Sequence, residues 1–295
     1  VIRRAGRIAF HSFTRILTIV ARRAPGVALR VADLLGMVLP FGVRRDDVDA
    51  LLPHLPADAR ARLARRSRAK AMRNLLLLET VRRYGLSALR TVVPANAALK
   101  ALRPPLILGV FHIGPIAAMT AAVEQLQANV FVLRRTALLL QYPAHITVEN
   151  DLGDEQRRAL AFYRALERLR AGEFVVMALD PEHAFRLPVP CLGGTLQLAR
   201  GPFALARIAG VPIVPVIPRW AGTHVELTVG EPLTAGSHDG SGDGHERALA
   251  ESAGRWLEHY LLEHPEELSR RVVALMKELP AAVEDGVLPG QAPVD

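Results

Sequence analysis

From residue 106 onward, short apolar runs alternate with amphipathic stretches. The apolar runs at 106–111, 129–133, 174–179, 213–217 and 224–229 predict strands, with a further one at 145–148. Helical spacing of apolar positions predicts helices at 114–127, 154–171, 201–209 and 245–263. Such alternation predicts an α/β fold with a mostly parallel central sheet flanked by helices. Around Asp180 the order reads strand, Pro-rich loop, Gly193-Gly194, helix, Gly210 turn, strand.

The first hundred residues have a different pattern. Residues 57–85 predict one long basic helix, entered through Pro56 and Asp58 and stopped by Gly85. Its apolar positions Leu63, Met72, Leu75, Leu76 and Val81 suit packing on a sheet. Residues 1–43 predict two short amphipathic helices separated by Pro25-Gly26. In the first, Phe10, Phe13, Leu17 and Val20 share one side, while Arg7, His11, Arg15, Thr18 and Arg22 fill the other. That face either packs on the domain or lies in a bilayer interface, and a strong apolar moment alone does not separate the two. The run Thr234–Glu246 has the composition of a flexible loop, and residues beyond Pro280 are expected to lack fixed structure. The expected organisation is a basic helical arm over 1–103, an α/β domain over 104–280 and a flexible tail over 281–295.

Composition narrows the partners. Half of the 295 residues are hydrophobic, enough for a sizeable core. The net charge of +8 is unevenly placed: residues 1–103 hold 21 Lys+Arg against 6 Asp+Glu, and the remainder hold 16 against 23. The N-terminal part therefore calls for a polyanionic partner, such as an anionic membrane surface, a phosphorylated glycolipid or an acidic carrier protein. Nucleic acid fits poorly, because aromatics make up 5% of the chain and no basic–aromatic interleaving or zinc-finger spacing is present. Arg15, Arg22, Arg30 and Asp33 interrupt the two early apolar runs, which argues against a spanning helix; a cleavable signal segment is not expected either. The expectation is a peripheral protein at the cytoplasmic face of the inner membrane. The single cysteine, Cys191, excludes an intrachain disulfide and is read as a packed thiol. The ten histidines form no dense ligand cluster, so no zinc site is expected, and no metal or organic cofactor is implied elsewhere.

The chemistry concentrates at predicted strand ends, where open α/β sheets place their ligands. His112 follows the first strand in "LILGVFHIGPI", and Gly114-Pro115 turns the chain away from it. An imidazole in that position suits general-base work near neutral pH. Asp180 and Glu182 end another predicted strand, and neighbouring parallel strand ends converge on one crevice. They are better placed to meet His112 than Glu124, farther along the helix that follows it. His183 is expected to face solvent. Arg200-Gly201 opens a helix, with Gly193, Gly194 and Thr195 upstream; backbone amides and a guanidinium there suit a phosphate or an oxyanion. Arg134 and Arg135 end the 129–133 strand and suit phosphate or solvent. No G-x-S-x-G elbow, phosphate-binding Walker loop or H-E-x-x-H pattern occurs.

Taken together, these segments resemble the lysophospholipid acyltransferase superfamily, and within it the lipid A late acyltransferase branch. The resemblance rests on His112 after its strand, Asp180, Gly193-Gly194-Thr195, Arg200-Gly201, Leu205-Ala206, Gly210, Pro212 and Pro215. It extends weakly to Arg73–Glu79 and Trp256–Leu268. The family's acid, five positions after the histidine, is replaced here by Ala117. The resemblance implies a glycerolipid acyltransferase-like fold and transfer of a fatty acyl chain from an acyl carrier protein or coenzyme A thioester to a hydroxyl of a membrane-associated lipid or glycolipid. His112 would be the base and Asp180 the candidate partner. Arg134, Gly194, Thr195, Arg200 and Gly201 would hold substrate. The replacement by Ala117 keeps open two alternatives: a lipid-binding relative with impaired catalysis, and an enzyme acting on a specialised-metabolite acceptor.

Overall fold

The computed structural model describes residues 15–39, 42–90, 92–126, 128–134, 142–150, 155–181, 185–233 and 242–277. Six strands form one sheet: β1 (Leu106–Val110), β2 (Val130–Arg134), β3 (Ile146–Asn150), β4 (Phe174–Ala178), β7 (Ile213–Ala221) and β8 (His224–Val229). Their order is β3-β2-β4-β1-β7-β8, with every pairing parallel except the β7–β8 hairpin. A parallel sheet needs apolar residues on both faces, and all five residues of β1 are buried.

The two faces are filled by alternate residues. Ile107, Val175, Met177 and Ile213 pack with α6 (Glu155–Arg170), α7 (Arg200–Ala209) and α8 (Gly242–Glu263). Leu106, Leu108, Val176 and Val214 pack on the other side with Leu99 of α4 (Ala97–Ala101) and Met119 of α5 (Ala118–Val123). Gly109 lies at the centre of β1, where a Cβ would meet Ile213 and Leu179 side-chain carbons at 2.9 Å.

Residues 15–23 are helical, followed by α1 (Pro25–Val38), α2 (Arg45–Leu51) and α3 (Ala57–Tyr84). The boundaries of α3 follow its sequence signals. Asp58 lies in its first turn, Arg82 and Arg83 in its last, and Gly85 ends it at φ 73°. Charges of those signs stabilise the two ends of the helix dipole. Leu63, Met72, Leu76 and Val81 are buried, and Leu75 partly so. The helix is fixed to the sheet layer by Ser67 Oγ donating to Leu268 O (2.9 Å) and Trp220 Nε1 donating to Asn74 Oδ1 (2.8 Å). Arg73 joins three elements, donating to Asp33 of α1 and to Gly222 O in the β7–β8 turn.

The structure corrects several expectations. The helix expected over 114–127 is confined to Ala118–Val123, because Gly114 takes φ 67° and residues 112–117 form a loop pressed on β7. The stretch read as a Pro-rich loop is an antiparallel hairpin, β5 (Arg186–Cys191) and β6 (Gly194–Ala199). Pro188 and Pro190 occupy its exposed positions while Val189 and Cys191 point inward, so a two-stranded ribbon tolerates both prolines. Residues 242–246, expected in a loop, open α8. A further helix, α9 (Arg270–Lys277), follows a short turn at Pro265–Glu267. The expected flexible stretch 234–241 and the tail beyond 277 lie outside the described residues.

Of the two placements expected for the first amphipathic helix, its described part takes the one packed on the domain. Leu17 is buried and Val20 partly buried against the cluster that holds Leu29, Leu76 and Trp220, so this side faces the protein. Phe10 and Phe13 lie outside the described residues. The large apolar side chains turned outward here are Ile16 and Ile19, then Val27, Leu34, Met37 and Val38 of α1.

Candidate active site at the strand ends

Strand register brings the central pair together. β1 and β4 run side by side with Val110 opposite Ala178. Leu179 N–H continues the ladder by donating to Val110 O at 2.9 Å. His112 and Asp180 each lie two residues beyond that last pair and therefore face one another. Asp180 accepts the His112 backbone N–H at 3.0 and 3.1 Å, and its Oδ1 lies 2.7 Å from His112 Nδ1.

This geometry orients the imidazole. An ionised carboxylate only accepts hydrogen bonds, so the tautomer that satisfies this contact has its proton on Nδ1 and a free lone pair on Nε2. The His112 side chain is 44% exposed and the Asp180 side chain 1%. The acid is thus sealed beneath a ring whose other nitrogen is available to a substrate, an arrangement that suits proton abstraction at Nε2. Arg271 of α9 holds the acid from behind, donating Nε (3.0 Å) and Nη2 (2.6 Å) to the Asp180 backbone oxygen. Sequence reasoning missed Arg271, since nothing in its spacing links it to a strand end 91 residues away.

The loop carrying His112 rests on a polar layer. A Cβ on Gly114 would lie 1.9 Å from Pro218 O and 3.6 Å from Glu267 Oε2. Glu267 is buried and paired with Lys70 of α3, which also binds Glu266 at 3.0 Å. Burial pushes the Glu267 carboxyl above its ordinary range, against the pull of Lys70. Glu267, held by Lys70, thus lies beside Gly114, a juxtaposition that the sequence alone did not reveal.

Ala117 sits at the start of α5, 7% exposed, in the apolar cluster with Leu76 and Trp220. The carboxylate against the imidazole comes from Asp180 on β4's extension. Glu182 and His183 lie outside the described residues, and Glu124 follows the end of α5.

The other expected site residues divide. Gly201 lies in the first turn of α7, next to the site's framework: Ala199 N–H donates to Leu179 O at 2.8 Å, and Arg200 N–H to Phe185 O at 2.8 Å. Space is open around the Gly201 Cα. Arg200 has its guanidinium directed elsewhere. Its Nε binds Glu246 at 2.5 Å and its Nη2 binds Asp243, both of α8, while Arg207 takes the other Glu246 oxygen at 3.0 Å. The guanidinium thus links α7 to α8, and the phosphate or oxyanion role expected for it is not what these contacts show. Gly194 and Thr195 open β6 at the hairpin tip. Gly194 is five and Thr195 four residues of extended chain from Ala199, roughly 13–16 Å, and Gly194 lies against Met276. The structure does not bring them to His112. Arg134 closes β2, which β4 separates from β1, and Arg135 lies outside the described residues.

Cys191 is buried, its thiol pushed up to about 12 by burial and by the nearby Glu258 carboxylate, so it is no nucleophile. His259 pairs with Glu263, and His264 meets the Tyr260 ring edge-on. Among the described residues no group of three or more His, Cys, Asp or Glu is arranged to hold a metal ion.

No known protein-family model matches the chain, and no curated protein matches it at a significant level.

Proposed function

We propose that this chain is an acyltransferase that moves a fatty acyl group from a carrier-protein or coenzyme A thioester to a hydroxyl of a membrane-associated lipid or glycolipid. The observation that carries this reading is the exposed imidazole of His112 held through Nδ1 by the buried Asp180. In this mechanism Nε2 takes the acceptor hydroxyl proton as the oxygen attacks the thioester carbonyl. The tetrahedral intermediate then collapses with loss of the thiolate, which receives the proton back from the imidazolium. Asp180 keeps Nδ1 protonated and stabilises the imidazolium, and Arg271 fixes Asp180. The first turn of α7, with its positive dipole end near the Leu179–Asp180 strand end, favours the oxyanion.

Several features favour a lipid-handling setting of the glycerolipid acyltransferase type. The basic residues Arg15, Arg22, Arg23 and Arg30 are exposed on the same two helices that turn Ile16, Ile19, Val27, Leu34, Met37 and Val38 outward. Arginines beside exposed apolar side chains suit the surface of an anionic bilayer. Among the described residues no helix is long and apolar enough to cross a membrane. We place the protein peripherally, at the cytoplasmic face of the inner membrane. An acidic carrier protein also suits this basic surface by electrostatic steering.

A second reading has one observation in its favour. The buried, apolar Ala117 stands where the resembled family has its acid, which fits a lipid-binding relative of reduced catalytic power or an enzyme for a different acceptor. Incubating the protein with radiolabelled acyl thioesters and a panel of lipid, glycolipid and soluble hydroxyl acceptors separates these readings. The proposed function requires labelled product on a lipid acceptor; product on soluble acceptors alone, or none, refutes it. On anionic liposomes, Leu34→Glu/Met37→Glu should lower low-salt sedimentation severalfold. Equal sedimentation of this variant and the wild type would contradict the membrane face.

A further inference from the structure

A cavity of about 520 Å³ lies between residues 15–23, α1, α3, the turn at Leu86–Leu89 and the β7–β8 turn. Its size is that of a small-molecule ligand site. Leu29, Leu76, Leu77 and Trp220 supply its apolar wall. Three polar groups of the lining are already engaged: Thr80 Oγ1 donates to Leu76 O at 2.7 Å, Ser87 Oγ to Tyr84 O at 3.3 Å and Trp220 Nε1 to Asn74 at 2.8 Å. A ligand inside would meet a wall that is mainly hydrocarbon and aromatic.

The rim has the opposite character. Tyr84 and the exposed Arg22 line the cavity. Arg22 lies over the Tyr84 ring at 5.4 Å, and Arg83, also exposed, lies 5.7 Å from the same ring. Two guanidiniums thus flank one tyrosine of the lining, Arg22 itself lining the cavity and Arg83 reached through the Tyr84 ring, and stacking on the tyrosine leaves their N–H edges able to meet an anion. An apolar interior with a cationic rim matches an amphiphile with one apolar chain and one anionic head. Leu29, Leu76, Leu77 and Trp220 also belong to the buried cluster that includes Ala117, five residues after His112.

We infer that this cavity is a binding site for a single-chain anionic amphiphile, with the chain among Leu29, Leu76, Leu77 and Trp220 and the head against Arg22 and Arg83. The inference rests on the lipid substrate class proposed above and deepens it by assigning a place to an apolar chain and its head.

The test is displacement of the fluorescent fatty acid cis-parinarate from the full chain by dodecanoate, dodecyl phosphate and dodecanol. Both anions should compete roughly tenfold better than the alcohol, the scale of one charge-assisted hydrogen bond. The stronger anion identifies the source: dodecanoate a fatty carboxylate, dodecyl phosphate a lipid phosphate head. Ala88→Phe and, as an independent variant, Ala21→Phe place a ring in the cavity and should each weaken binding roughly tenfold or more at unchanged Tm. Arg22→Gln/Arg83→Gln should erase the preference for anions while dodecanol binding persists. No saturable binding, or wild-type binding in whichever cavity-filled variants keep the parental Tm, overturns the inference. Should both filled variants lose stability, an unchanged anion preference in Arg22→Gln/Arg83→Gln overturns it alone. Acyl transfer is measured on the same samples: binding without transfer removes the proposed enzyme but not the site, and transfer without binding removes the site but not the enzyme.

Discussion

Two carboxylates in this protein are equally buried and have partners of different chemistry. Asp180 and Glu246 each have 1% of the side chain exposed, and each meets a basic partner that is 43–44% exposed. Asp180 lies at a strand end, where the sheet stops and a crevice begins. Its partner is an imidazole, whose second ring nitrogen is able to accept a proton. Glu246 lies in the seam between α7 and α8. Its partners Arg200 and Arg207 bind both of its oxygens and keep their charge at any physiological pH. Burial makes either acid costly to leave unpaired. The partner's chemistry and its place in the fold decide whether the pair can move a proton or only fasten two helices.

The sharpest expected contrast is between losing each partner. His112→Ala should lower acyl transfer by about a hundred- to ten-thousand-fold, the range of general-base catalysis. Tm should fall only modestly, because Asp180 loses the ring but keeps the backbone N–H of residue 112 as a donor. A Tm loss with specific activity intact would make His112 structural. Arg200→Ala should do the reverse: Tm falls because Glu246 loses a partner, while transfer per folded molecule stays at the parental level. Reduced turnover at unchanged Tm would return Arg200 to the site.

A smaller effect tests whether Asp180 has taken over the acid's role. Ala117→Asp places a carboxylate among Leu76, Trp220 and their neighbours, where an unpaired acid is penalised. The variant should melt at lower temperature and transfer no faster than the parent. A gain in transfer would mean that the imidazole lacks an effective partner in the parent protein, favouring the reading in which catalysis is impaired.

Much of the sheet was legible because a buried parallel strand leaves a continuous apolar run. All six strands of the main sheet fall within a few residues of their expected places. The pairing of His112 with Asp180 was legible too, as strand ends converging on one crevice. What could not be read depends on contacts between distant segments. Arg200 and Gly201 are neighbours in sequence, yet the guanidinium is drawn to Glu246 and Asp243 on a helix whose first turn looked like a loop. Arg271 reaches Asp180 only because α9 folds back beneath the site. Lys70 meets Glu267 across 197 residues. In residues 15–23 periodicity identified an apolar face, but only packing shows that Leu17 and Val20 face inward and Ile16 and Ile19 outward.

The central claim, that the buried Asp180 makes His112 a base, is tested most directly by acyl transfer from a radiolabelled thioester in Asp180→Asn, compared with the parent at matched folded fraction. Asparagine keeps the size of the side chain but presents an amide able to donate to Nδ1, which moves the imidazole proton to Nε2 and removes the lone pair needed for attack. The account predicts a loss of at least about a hundredfold, on the scale of general-base catalysis, with the acceptor's KM little changed. Transfer at the parental rate in Asp180→Asn would contradict it.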